Sequence, residues 1–153
     1  MKIKVTRDTL TPDLRRRLRR VRNPEPALRA AGLVMASMAQ DAFTNEAVRP
    51  SAWNPLKPRT LARKAAAGYG SSPLIGIEGL LARSPRIVRS SPREVVVGSD
   101  RRAGSHSLAA IHQLGAPKAH IPPRPFFPFR ASGEATETAK RRIRDVLLRW
   151  LGK

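Results

Sequence analysis

Residues 121–129, IPPRPFFPF, limit most narrowly what this chain can fold into. Each proline lacks a backbone N–H, so four of them in nine residues exclude both a regular helix and an interior strand. Yet the same stretch holds three of the chain's four phenylalanines, Phe126, Phe127 and Phe129. With His112 and His120 nearby, three readings are open: a catalytic or metal site, a nucleic-acid contact, or a piece of architecture.

Around this stretch the hydrophobic pattern is regular. MKIKVT alternates Ile3 and Val5 with polar residues, the period of a short half-buried strand. Leu10, Leu14, Leu18 and Val21 then recur every three or four residues with arginines between them. That spacing predicts an amphipathic helix, with Thr11 as N-cap and Pro12 at its first position. NPEPALRAAGLVMASMAQDAFTNEA predicts a longer central helix opened by Asn23 and Pro24 or Pro26. Leu28, Gly32, Met35, Ala39, Ala42 and Phe43 share one face of it, and the small residues among them admit close approach by a neighbour.

Residues 48–72 are loop-like apart from a short helix at Arg59–Ala67. PLIGIEGLLARS predicts a turn into another short helix, and RIVRSSPREVVVGSD two strands joined at Ser91–Pro92. Ser105–Leu114 is a helix candidate with Gly115 as a left-handed stop. Ile143, Val146, Leu147, Trp150 and Leu151 place a strong amphipathic helix at the end of the chain. The 153 residues form one domain, divisible into a basic strand and helix (1–22), a proline-rich arm (117–130) and a C-terminal helix (134–153).

Charge and chemistry narrow the function. Thirty Lys and Arg against eleven Asp and Glu give a net charge of +19, which attracts polyanions and opposes packing of identical subunits unless it is neutralised. There is no cysteine, so thiol catalysis and thiolate metal sites are absent. His106, His112 and His120 stand six and eight residues apart, which does not place two on one face of a regular helix, and the acids are scattered. No metal, cofactor or enzymatic role is expected. GYGSSPLIGIEG lacks the Lys-Ser/Thr pair of a phosphate loop, and GSHS lacks the nucleophile-elbow pattern. No run is apolar enough to span a membrane and the start has no signal-peptide core, so a soluble cytoplasmic protein is expected.

Arg15, Arg16, Arg17, Arg19, Arg20 and Arg22 form one cationic cluster, and Lys140, Arg141, Arg142 and Arg144 a second. Both suit sequence-independent contact with phosphates, and both equally suit a solvated helix face in a basic protein. No aromatic residues interleave them as a base-stacking platform requires.

Taken in order, WNPLKPRTLARK (Trp53–Lys64), PLIGIEGLLARS (Pro73–Ser84), VVVGSD (Val95–Asp100), LAAIHQLGA (Leu108–Ala116) and IPPRPFF (Ile121–Phe127) are more specific than any one alone. The series resembles the Mu-type phage virion morphogenesis family, also called tail completion proteins. The matching positions are Trp53, Leu56, Gly79, Leu80, Gly98, Ile111, His112, Gln113, Gly115, Arg124, Pro125 and Phe126. Two departures stand out: Leu108 where the family commonly has tyrosine, and Glu78 where it has threonine.

The resemblance implies an α+β protein, a small antiparallel β-sheet packed against a long α-helix with amphipathic helices at both ends. It implies a structural assembly role in the virion at the head–tail junction, after assembly in the host cytoplasm. The homo-oligomer would be a hexameric or dodecameric ring around double-stranded DNA, bound without sequence preference. Connector or stopper and tail-terminator proteins would be its neighbours, with no cofactor and no membrane. A sequence-independent nucleic-acid-binding protein is the alternative. In the light of the resemblance the histidine and proline stretch becomes architecture, with its phenylalanines closing either their own core or a neighbour's.

Overall fold

The computed structural model describes residues 10–74 and 79–152. The strand expected at Ile3 and Val5 and the departure at Glu78 lie outside the described residues. Five α-helices and two small antiparallel hairpins follow in the order α1 (Leu10–Arg22), α2 (Glu25–Asp41), α3 (Pro58–Ala66), β1 (Arg86–Ser91), β2 (Glu94–Gly98), β3 (Arg102–Ala103), β4 (His106–Ser107), α4 (Leu108–Leu114) and α5 (Glu137–Gly152). The fold is α+β.

Helix α2 is the central element because its buried stripe is almost without side-chain bulk. Ala27, Ala31, Gly32, Ala36, Met38 and Ala39 are buried, while Leu28 and Met35 are only half-buried. The β1–β2 hairpin packs on this stripe. Its register pairs Ile87 with Val97 and Ser91 with Glu94, broken by an irregularity between Ile87 and Arg89 that twists the strand locally. Gly32 is where the layers approach most closely. A Cβ there would stand 2.6 Å from Val95 Cγ2 and 3.2 Å from Ile87. The Gln40 amide donates to the Pro85 carbonyl at 2.9 Å, tying the end of α2 to the start of β1.

Helix α5 also lies on α2, burying Ala139 completely, with Ile143, Val146, Leu147, Trp150 and Leu151 half-buried. Helix α1 packs mainly against α5. It buries none of its residues: Leu10, Leu14, Leu18 and Val21 remain 50–66% exposed.

Several local expectations change. Thr11 is already helical rather than a cap, because α1 spans Leu10–Arg22. Pro24, without a side-chain cap, stands at the N-cap of α2, and the Asn23 N–H instead closes α1 on the carbonyls of Arg19 and Arg20. After Gly79 the chain makes turns, not the short helix read from PLIGIEGLLARS, and Ser84 Oγ bonds Ser99 Oγ at 2.7 Å across the hairpin's base. The helix before Gly115 starts at Leu108, capped by Ser107, because His106 and Ser107 are taken by the second hairpin. Gly115 has positive φ (81°) but an extended ψ (170°), so it is not a left-handed stop; the left-handed residue is His120 (φ 53°, ψ 33°).

Gly32→Leu is expected to destabilise the fold by about 1–3 kcal/mol through overpacking against Val95 and Ile87, read from urea midpoints.

Candidate functional site

The proline-rich segment carries buried backbone groups that cannot be satisfied by a helix or a ladder, and buried N–H and C=O groups need partners. Gln113, in the last turn of α4, supplies them. Its side-chain oxygen accepts the N–H groups of Phe126 and Phe127, both at 3.0 Å. Its amide nitrogen donates to the carbonyls of Phe127 (3.3 Å) and Phe129 (3.4 Å). One amide thus stands in for a neighbouring strand.

The return of the chain to Gln113 is fixed at two further points. Ala116 and Ile121 exchange backbone hydrogen bonds of 2.9 and 3.1 Å around a 3-10 turn at Pro117–Ala119. The Arg124 N–H then reaches the His112 carbonyl at 2.6 Å. Gly115 is required at this crossing. A Cβ would meet Ile121 O and the Pro123 ring at 3.1 Å, and φ is positive. The segment is therefore a fold-back against α4 rather than a projecting arm.

The middle of the chain is locked to the same place. The Arg124 side chain, 7% exposed, donates to the carbonyls of Asn54 (3.1 Å) and Pro55 (3.4 Å). Trp53 Nε1 donates to the Pro125 carbonyl at 2.8 Å. Burial pulls the Arg124 pKa below its ordinary value, yet a guanidinium stays charged in proteins, so both carbonyls receive charge-assisted hydrogen bonds. Trp53 meets Phe43 edge-on at 5.8 Å, Phe43 meets Phe126 at 4.9 Å, and Phe126 meets Phe127 at 4.8 Å. Phe126 and Phe127 thus complete their own subunit's core, together with Ala39, Ala42, Val48 and Ala109.

Arg49 was not legible as part of this site. Its guanidinium lies 3.9 Å over the Trp53 ring, while Nε donates to the Ala42 carbonyl at 2.7 Å and Nη1 pairs with Glu46. It closes the carbonyl end of α2, where a cation is favoured. The only cue is a cation shortly after that helix.

His112 sits beneath Arg124 with its Nδ1 buried and unbonded. Burial, and secondarily the Arg124 charge, lower its pKa from 6.5, favouring the neutral ring. His106 and His120 are exposed, and among the described residues no three His, Asp or Glu side chains cluster as a metal site would require. Among the other motif residues, Leu56 and Ile111 are half-buried, Gly79 takes a left-handed turn (φ 58°), Leu80 is exposed, and Gly98 ends β2 opposite Arg86. Leu56, Gly79 and Leu80 do not join the Gln113 network.

Beside this network a half-open groove of about 650 Å³ runs between Val97, Leu114, Pro123, Pro125, Phe127 and Phe129. Leu114, at its lip, is 69% exposed. The arginine clusters divide by task. Arg20 donates to the Trp150 and Leu151 carbonyls at 3.0 and 3.3 Å, holding α1 to the end of α5. Arg16 and Arg17 share Asp13, whose pKa the Arg17 hydrogen bond lowers. Arg15, Arg19, Arg22, Arg141 and Arg142 have no ion-pair partner among the described residues.

The model of the phage virion morphogenesis family matches residues 5–152 of the chain. No curated protein and no solved structure matches it.

Gln113→Leu is expected to strand two buried N–H groups at a cost of about 1–3 kcal/mol each, visible as a lower urea midpoint. The unfolded chain takes up the His112 proton more readily than the folded one, so stability from this group is complete above pH 6.5 and is lost as pH falls through the lowered folded value. Melting temperature is therefore expected to fall more steeply from about pH 7 to about pH 5 in the native chain than in His112→Gln. Parallel slopes would discount the histidine.

Proposed function

Because the chain belongs to the phage virion morphogenesis family, we propose that its assembly role is to form a closed ring at the head–tail junction, around the passage for DNA. The observation that carries this reading is the presence of two unlike apolar surfaces on one subunit. Helix α1 presents a convex stripe, Leu10, Leu14, Leu18 and Val21, each at least half exposed. The other surface is the concave groove under Phe127 and Phe129. An amphipathic helix is stable when its stripe is covered, and contacts between different patches propagate head to tail until a ring closes.

The ring is hexameric or dodecameric, matching tail or portal symmetry, and it meets a connector or stopper on one side and a tail terminator on the other. A channel wall facing DNA gives the +19 charge of each subunit its counter-charge without any need to read bases. The role is structural, as the family suggests, and the tightly bonded Gln113–Arg124 network supplies a rigid body for it. It uses no cofactor, is carried in the virion, and assembles in the host cytoplasm.

Light scattering of the purified chain is expected to give a hexamer or dodecamer of the 16.9 kDa subunit. Leu14→Glu with Leu18→Glu is expected to give a folded monomer of unchanged helical circular dichroism. Phage particles made without this chain should accumulate as unjoined heads and tails in electron micrographs, and joined infectious particles would overturn the junction role.

A further inference from the structure

We infer that the segment around α3 is a cationic finger that contacts the phosphates of double-stranded DNA, and that the α1 and α5 arginines are not the main DNA contact. No acid stands between Glu46 and Glu78, while this interval holds Arg49, Lys57, Arg59, Arg63 and Lys64. Residues 101–133 also lack acids, but there Arg124 is buried and Arg101, Arg102, Lys118 and Arg130 are spread over a hairpin, a 3-10 turn and a loop instead of one exposed helix. Helix α3 buries none of its residues, so tertiary packing does not explain its presence.

The side chains separate into those that build the finger and those that project from it. Arg49 is spent on the end of α2 and the Trp53 ring. The Lys64 ammonium donates to the Ser72 carbonyl at 2.5 Å, closing the return limb onto the helix. The side chains of Lys57, Arg59 and Arg63 are exposed and form no hydrogen bond or ion pair among the described residues. Arg59 and Arg63 are one helical turn apart on one face, with Lys57 just before the first turn, which carries no acid to offset the positive end of the helix dipole. The finger's root is rigid, because Arg124 holds the Asn54 and Pro55 carbonyls and Trp53 holds Pro125. By contrast, α1 pairs Arg16 and Arg17 with Asp13 and ties Arg20 to the end of α5, leaving Arg15, Arg19 and Arg22 on a helix that carries an acid, and α5 interleaves Glu137 and Asp145 with its cations.

The inference rests on the virion reading above, which supplies the DNA. The test compares the full chain with Lys57→Gln/Arg59→Gln/Arg63→Gln, with Arg15→Gln/Arg19→Gln/Arg22→Gln and with Arg141→Gln/Arg142→Gln. Binding of a random-sequence 30-base-pair duplex is measured by fluorescence anisotropy across salt concentrations, with light scattering on the same samples. Each lost phosphate contact flattens the plot of log affinity against log salt by about 0.9, so the finger variant is expected to flatten it by about 2–3. The loss should be similar for every duplex sequence, with folding and oligomeric state unchanged. An unchanged slope, a larger loss in the α1 or the α5 variant, or tighter binding of poly-glutamate than of duplex by the native chain would each overturn the finger. The ring is scored apart: a monomeric chain whose DNA binding still depends on the finger counts against the ring and for the finger.

Discussion

The structure depends on a single side-chain amide. A proline-rich segment cannot recruit a strand or a helix to satisfy its backbone, yet Phe126 and Phe127 go inside, where Met38, Phe43 and Val48 are the other large buried apolar side chains among the described residues, prolines aside. Gln113 resolves that conflict by offering an acceptor to two N–H groups and a donor to two carbonyls. The remaining contacts follow from where it puts the phenylalanines. Trp53 and Arg124 then bring the 53–55 loop across, and Arg49 covers the tryptophan's ring and closes α2 from outside.

How much of this was legible depended on whether the determining interaction was local. The periodicity of α1, α2 and α5 is a property of neighbouring residues, and these helices appear where the pattern places them, while the β1–β2 turn falls at Pro92–Arg93, one residue beyond the expected Ser91–Pro92 junction. The motif IHQLG marked the site, but the partners of Gln113 lie 13–16 residues away and those of Arg124 some 70 residues back, and no period encodes such contacts. Caps were less legible than helices. Thr11 and Asn23 look like caps in isolation, but where a helix starts depends on what precedes it, and here Asn23 serves the end of α1 instead. Gly115 was recognisable as a special backbone position, while its actual conformation is dictated by the Pro123 ring pressed against it.

The arginines show why net charge alone says little about where a partner binds. In this chain a guanidinium is by turns a buried carbonyl clamp (Arg124), a helix-end closure stacked on an aromatic ring (Arg49), a tie between two helices (Arg20) and half of an exposed ion pair (Arg17). These tasks exploit the planar fork of Arg, which lysine lacks. They remove several cations from any account of polyanion attraction, leaving fewer, more localised charges.

The bonds from Trp53 to Pro125 and from Arg124 to Asn54 join residues 72 and 70 positions apart. Closing a loop of that length costs chain entropy before any contact rewards it, and such topologies fold slowly. On the ribosome, the aromatic centre cannot close until most of the chain has been synthesised. Helix α1 and its exposed leucines emerge first, but the groove beneath Phe127 exists only afterwards. In the ring proposed above, association through those two surfaces would therefore be confined to finished subunits, protecting a polysome crowded with identical nascent chains from premature polymerisation.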